Sequence, residues 1–174
     1  MIRLSTLLEK STGVYSKGCV MVELQFEQLT EIQDKIKPEW LYEDPTNDSY
    51  GLEDQPHITL LYGIDPSTPP SQVKQVLGDW KPRTYYNIHS ASVFQSERYD
   101  VVKYDVYADD LHRANKLLCQ LPHQNDYPDY HPHITIGYVK SGLGEWCAKQ
   151  IGRGTMKLPV KRVVYKQNQK LTIL

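Results

Sequence analysis

Seven residues of this chain recur. Residues 56–62 read Pro-His-Ile-Thr-Leu-Leu-Tyr and residues 132–138 read Pro-His-Ile-Thr-Ile-Gly-Tyr, five of the seven positions being identical. A lone His-x-Thr is weak evidence, because both residues occur in strands by chance. Two copies 76 residues apart constrain the fold, because the elements around them repeat as well. The first half reads strand (13–26), helix (27–37), loop (39–55), strand (56–63), helix (71–80), strand (85–94). The second half reads strand (101–107), helix (109–121), loop (122–131), strand (132–139), helix (143–150), and strands at 157–166 and 170–174 close the chain. Period-two apolar residues such as Val20, Val22, Leu24 and Phe26 carry the strand readings. Leu111, Ala114, Leu118 and Leu121 share a helical face, and Asp109 is placed to cap that helix. The first helices start about 82 residues apart and the second about 72, which brackets the 76 of the motif. The order predicts a duplicated α+β unit, one bilobal domain whose halves run over about 14–95 and 100–166.

Strand geometry assigns the motif a purpose. Side chains at i and i+2 face the same way. His57 and Thr59 therefore share one face, and so do His133 and Thr135. Ile58, Leu60 and Tyr62 turn to the other face, as do Ile134, Ile136 and Tyr138; these sets belong to core packing. Gly137 follows Thr135 on the polar face and leaves room there. Halves packed about a pseudo-two-fold would oppose the two His-Thr pairs across a groove. Two imidazoles on either side of a phosphodiester suit in-line transfer: one takes a proton from the attacking oxygen, the other gives one to the leaving oxygen. The threonine hydroxyls can donate to the non-bridging oxygens.

Composition narrows the partners. The chain of 174 residues carries 20 Lys and Arg against 21 Asp and Glu, a net charge of −1. That balance argues against a protein that grips long nucleic acid through its phosphates. Thirteen tyrosines offer flat faces with polar tips, which suit wet stacking surfaces and also strands. Cys19, Cys119 and Cys147 are odd in number and scattered, which fits reduced thiols in the cytoplasm. No apolar run has the length of a membrane span, and the first ten residues lack a signal-peptide core. A metal reading would use His131 and His133 with Asp126 and Asp129, but these form no recognised ligand spacing, so neither metal nor other cofactor is expected. No obligatory protein partner is indicated.

Paired His-x-Thr motifs in a duplicated α+β chain resemble the 2H phosphoesterase superfamily. It includes the RNA 2′,3′-cyclic phosphodiesterases called 2′-5′ RNA ligases, and phage enzymes that destroy the cyclic oligonucleotide signals of CBASS immunity. The resemblance runs from about residue 14 to 164 and places His57, Thr59, His133 and Thr135 on the family's catalytic positions. It implies a bilobal fold, with two antiparallel sheets and outer helices flanking a central groove, and chemistry without a metal. The expected substrate is a small RNA-type phosphodiester: a cyclic di- or oligonucleotide, or alternatively an RNA 2′,3′-cyclic end. A module that binds such an end without turnover is the competing class. Tyr15, Lys17, Tyr130, His131 and Trp146 are the candidate substrate-binding residues around the motifs.

Overall fold

A computed structural model describes residues 17–45, 50–125, 127, 129–168 and 170–174. Seven antiparallel strands form one connected sheet: β1 (Gly18–Leu24), β2 (His57–Ile64), β3 (Tyr85–Phe94), β4 (Tyr99–Asp105), β5 (His133–Lys140), β6 (Arg153–Gln167) and β7 (Lys170–Ile173). Their order is β2-β1-β6-β3-β4-β5, with β7 also on β6. The helices are α1 (Leu29–Gln33), α2 (Pro70–Leu77), α3 (Asp109–Leu118) and α4 (Gly144–Ile151). No helix among the described residues is long and apolar enough to cross a membrane.

The mixed α+β class and the duplicated element order are present, but the sheet is shared differently from the expected halves. The C-terminal part of β6 pairs with β1, from Leu24 opposite Val160 to Cys19 opposite Lys166. The N-terminal part pairs with β3, from Tyr85 opposite Pro159 to Ser90 opposite Arg153. One long strand thus joins what were expected to be two sheets. It also gives the first arm (β1, β2, β6, β7) its C-terminal strands, while β3 joins β4 and β5 in the second arm. The division at about 95–100 is therefore not the division between the arms. Strand β6 starts at Arg153, four residues before the expected 157. Asp109 does not cap α3; Ala108 holds the N-cap position without a side-chain bond, and Asp109 lies in the first turn. Helix α1 is a single short turn of five residues, although Leu29, Ile32 and Ile36 are buried as their spacing predicts.

Both motif strands carry a β-bulge at the same place. On β2, Thr59 pairs with Met21 but the next partner, Val20, faces Leu61, so Leu60 is the extra residue. On β5, Thr135 pairs with Lys103 and the next partner, Val102, faces Gly137, so Ile136 is extra. A bulge leaves local backbone groups without ladder partners. Here each is met by a side-chain amide from the opposite half of the chain. Asn115 of α3 donates Nδ2–H to the Leu60 carbonyl at 2.7 Å, and Gln33 of α1 donates Nε2–H to the Ile136 carbonyl at 3.0 Å. The two donors are 82 residues apart and the two acceptors 76 apart, the spacings of the repeat itself. The motif prolines correspond too: Leu24 N–H donates to the Pro56 carbonyl at 3.0 Å and Val106 N–H to the Pro132 carbonyl at 2.9 Å.

The loops before the motif strands cross in the same reciprocal way. Residues 51–53, which lead into β2, lie on the edge of β5, with Tyr138 N–H on the Gly51 carbonyl and Glu53 N–H on the Ile136 carbonyl. Residues 122–124, which lead toward β5, lie on β2, with Gln124 N–H on the Gly63 carbonyl. A Cβ on Gly63 would stand 1.9 Å from the Gln124 carbonyl oxygen, so only glycine admits that crossing. Gly137 makes room in the same sense, since a Cβ there would meet the Gly51 carbonyl and the Leu52 side chain at 3.1 Å. It opens space for a crossing loop and not on the polar face, as its place in the repeat had suggested. One hydrophobic core runs through both arms, from Val20 and Leu60 to Ile134 and Val139.

Removal of the Asn115 amide takes the side-chain donor from the Leu60 carbonyl, which costs about 1–3 kcal/mol, whereas the Ile136 carbonyl keeps the Glu53 N–H when Gln33 is removed. We expect Asn115→Ala to lower the urea midpoint accordingly and Gln33→Ala to lower it less; a midpoint unchanged from wild type in Asn115→Ala would remove the amide from this role.

Candidate active site

The X-Pro-His sequence builds each imidazole's setting locally. Proline fixes its own φ and holds the preceding residue extended. The histidine ring then folds back onto the carbonyl two residues earlier. His57 Nδ1 lies 2.6 Å from the Gln55 carbonyl oxygen, and His133 Nδ1 lies 2.6 Å from the His131 carbonyl oxygen. A carbonyl can only accept, so each Nδ1 carries the proton and each Nε2 is left as the reactive nitrogen. The same bond forms at Leu121-Pro122-His123, at 2.8 Å, which marks it as a property of the tripeptide.

Both motif histidines are nearly buried, 6% exposed at His57 and 5% at His133. Opposite each stands a carboxylate on the neighbouring strand, Glu23 facing His57 and Asp105 facing His133. Neither carboxylate is unpaired. Arg162 donates Nε–H to Glu23 at 2.5 Å, and Lys103 donates Nζ–H to Asp105 at 2.5 Å. Burial pushes His133 down to about 3, and the charges of Lys103 and His57 press in the same direction. The two imidazoles therefore feel one another. For Asp105, burial acts upward but is outweighed by hydrogen bonds from Lys103 and Ser92, which hold the carboxyl below its ordinary range.

Thr59 and His133, from opposite ends of the sheet path, line one groove of about 560 Å³. Strands β2 and β5 are also in contact. Lys17, Tyr130 and His131 line it as well. The Lys17 ammonium lies 5.9 Å from the centre of the Tyr62 ring. Tyr130 donates its hydroxyl to the Thr59 carbonyl at 3.0 Å, so its phenol is committed to holding the motif strand. Thr135 is buried, 4% exposed, opposite Lys103. Tyr15 lies outside the described residues. Trp146 is not in the groove wall: it stands on α4 with its ring edge-on to Trp40, the centres 4.1 Å apart. The helix turns it toward Trp40 because Cys147, Ala148 and Ile151 take the core-facing positions.

The matched bulges correct a second expectation. Strict alternation sends Tyr62 and Tyr138 into the core. One inserted residue in each strand reverses the parity, so Tyr62 pairs with Cys19 and Tyr138 with Val101, on the motif side. Tyr62 becomes a groove residue, packed by Cys19, Met21 and Val164. Tyr138 is covered on that side by Tyr50 and Tyr99, at 5.3 and 5.5 Å. Burial raises the neighbouring Cys19 thiol to about 12, so it stays protonated. Among the described residues, no three His, Cys, Asp or Glu side chains converge to hold a metal ion. Asp126 of the considered ligand set lies outside the described residues.

With this geometry in place, comparison with known proteins identifies the lineage. A family model described as the 2′-5′ RNA ligase superfamily matches residues 45–151, more than half of the chain and both motifs. The chain belongs to the 2′-5′ RNA ligase superfamily. As a member of this 2H phosphoesterase family it is a phosphodiesterase. Among solved structures it is similar to Usb1 of Kluyveromyces marxianus with uridine monophosphate, at 9% identity and TM-score 0.55, covering 91% of this chain and 97% of that one. It is also similar to LigT of E. coli complexed with 3′-AMP, at 13% identity and TM-score 0.51, covering 91% and 95%. At such identities the likeness extends to the fold. No curated protein sequence matches the chain.

The residues that sequence reasoning missed had visible signals. Lys103 and Asp105 alternate within the apolar segment 101–107, which marks a polar strand face beside the motif. The effect of His133 on stability has a definite sign. Its folded value lies below the ordinary 6.5, so its neutral form is favoured by folding. That contribution is present above pH 6.5 and is lost as pH falls through the window toward 3. We expect the melting temperature to drop between pH 7 and 5, and His133→Gln to lessen the drop; equal slopes in the two proteins would contradict it.

Proposed function

We propose that this phosphodiesterase breaks a small RNA-type phosphodiester by general acid–base catalysis between His57 and His133, without a metal. The observation that carries the reading is the paired anchoring of the imidazoles. Each Nδ1 is bound to a backbone carbonyl at 2.6 Å, so each ring has Nε2 as its reactive nitrogen. For a 3′-5′ linkage, one Nε2 takes the proton of the adjacent 2′-OH. The O2′–P bond forms, the P–O5′ bond breaks, and the other ring, charged as imidazolium, gives its Nε2 proton to O5′. The product is a 2′,3′-cyclic phosphate. Water opens it with the two roles exchanged, forming one O–P bond and breaking one ring P–O bond. Thr59 and Thr135 donate to the non-bridging oxygens as charge grows there. An internal nucleophile or a strained ring lets such a route proceed without a metal-activated water.

Two substrate readings fit, each on its own observation. The groove of about 560 Å³, with Tyr62 and Tyr130 in its wall, suits a compact ligand with stacked bases. This favours a cyclic di- or oligonucleotide, the substrate of the phage anti-CBASS enzymes. The family's description and the 3′-AMP held by LigT favour an RNA 2′,3′-cyclic end.

A panel of cyclic nucleotides and cyclic-phosphate-ended RNAs, with products read by mass spectrometry, separates the two readings. His57→Ala and His133→Ala should each lower kcat by about 10²–10⁴ while binding persists. Wild-type turnover in either variant would sink the two-histidine mechanism. Binding without turnover in the wild type would indicate the non-catalytic module. Activity should survive EDTA, and a 2′-deoxy analogue of a 3′-5′ substrate should resist cleavage.

A further inference from the structure

We propose that Lys103 polarises the duplicated site, holding His133 as the proton acceptor and leaving His57 as the proton donor when the phosphodiester is first attacked. The inference rests on the two-histidine reading and adds what that reading leaves open, the direction of proton flow.

Duplication supplies two equal imidazoles with the same backbone anchor and the same facing carboxylate. Their other cross-strand neighbours differ. Met21 stands opposite Thr59, and Lys103 stands opposite Thr135 at the corresponding position. Lys103 is 3% exposed, which is rare for an ammonium and costly unless it is paired. Its Nζ donates to Asp105 at 2.5 Å and to Ser92 Oγ at 2.8 Å, and lies 4.0 Å over the Phe94 ring. Phe94 in turn meets the His133 ring edge-on, with centres 4.9 Å apart. The cation and the imidazole thus share one aromatic neighbour, on adjacent strands and on the same sheet face.

Among the described residues, the titratable groups near His133 include Lys103 and Asp105 from β4, His57 from β2 and His131 from the preceding loop. Asp105 is the group that could stabilise an imidazolium at His133. Lys103 takes that carboxylate for itself and adds a positive charge of its own. Both effects disfavour charging His133, in the same direction as its burial. In the first arm the cation paired to the facing carboxylate is Arg162, on β6 beyond Glu23 as seen from His57. Glu23 therefore lies between that guanidinium and His57. Lys103 acts through His133, which makes it a positioning residue.

The test is the titration of His133 followed by NMR of labelled imidazoles, beside the pH dependence of kcat/KM on a dinucleotide substrate. In the wild type, kcat/KM should show no acid-side fall between pH 7 and 5. In Lys103→Met, which copies the residue of the first arm, the His133 midpoint should rise by about one pH unit while burial still holds it below its ordinary value, and the acid limb of kcat/KM should move up with it. Lys103→Gln, which keeps a hydrogen bond to Asp105 without the charge, should shift it in the same sense and serves if the Met variant does not fold. Lys103→Met with Asp105→Asn should bring the midpoint back down. A midpoint unmoved in both single variants overturns the role of Lys103. Loss of turnover in His57→Ala and His133→Ala, judged separately, shows whether the two-histidine reading itself stands.

Discussion

The site depends on two side-chain amides that hold two bulges. Leu60 and Ile136 are surplus residues in their strands, and each carbonyl is taken by an amide from the other half of the sequence. Without the bulges, His-x-Thr and the following tyrosine would sit on opposite faces. Without the Asn115 amide, the Leu60 carbonyl beside the groove would lose its side-chain donor where water is scarce. Because each donor sits on a helix from one half and each acceptor on a strand from the other, the two motif strands are fixed relative to each other by the same bonds that fix the bulges. The crossing loops at 51–53 and 122–124 repeat this exchange with backbone hydrogen bonds. A site split between two arms needs this kind of tie, since a shift of one ångström between its parts is enough to disturb catalysis.

The orientation of the imidazoles has a more local origin. An X-Pro-His tripeptide brings Nδ1 onto the X carbonyl, and it does so at His123 outside the motif pair as well as at His57 and His133. The motif therefore contributes two things that are separable in principle. Proline and histidine fix the tautomer, while threonine at the next same-side position places a hydroxyl beside the ring. Strand alternation joins them only as far as the bulge.

That limit explains what could and could not be read from the residues. Period-two alternation located His57, Thr59, His133 and Thr135 on matching strands, and the 82-residue offset of the first helices is the spacing of Gln33 and Asn115. Alternation failed at Tyr62 and Tyr138, because a single inserted residue has no composition signal of its own. The sharing of β6 between β1 and β3 was hidden for a different reason: a strand of 15 residues looks the same in sequence whether it has one set of neighbours or two. The placement of Trp146 turned on which side of a short helix packs inward, and Cys147, Ala148 and Ile151 took that side. The two stretches before the motif strands read as loops, and the second supplies Tyr130 and His131 to the groove. Their crossing hydrogen bonds depend on pairings between distant segments, which no local pattern encodes.

Charge was legible only as a total. A net charge of −1 describes the exterior on average and is silent about Lys103 and Lys166, which are 3% and 7% exposed. Lys166 donates to Gln55 at 3.1 Å, on the residue whose carbonyl anchors His57, and burial lowers its pKa. Lys103 binds Asp105 on the other arm. Each arm thus has one buried cation near its histidine, yet the two come from different strands, β6 and β4, and are not related by the duplication. In a site with little water, a charge acts over a short distance with more force than the same charge on the surface. A near-neutral chain can therefore favour a phosphate anion locally, and sites of this kind suit small substrates better than long polyanions that need a basic surface. The duplication made two like histidines, and the cations behind them are unlike.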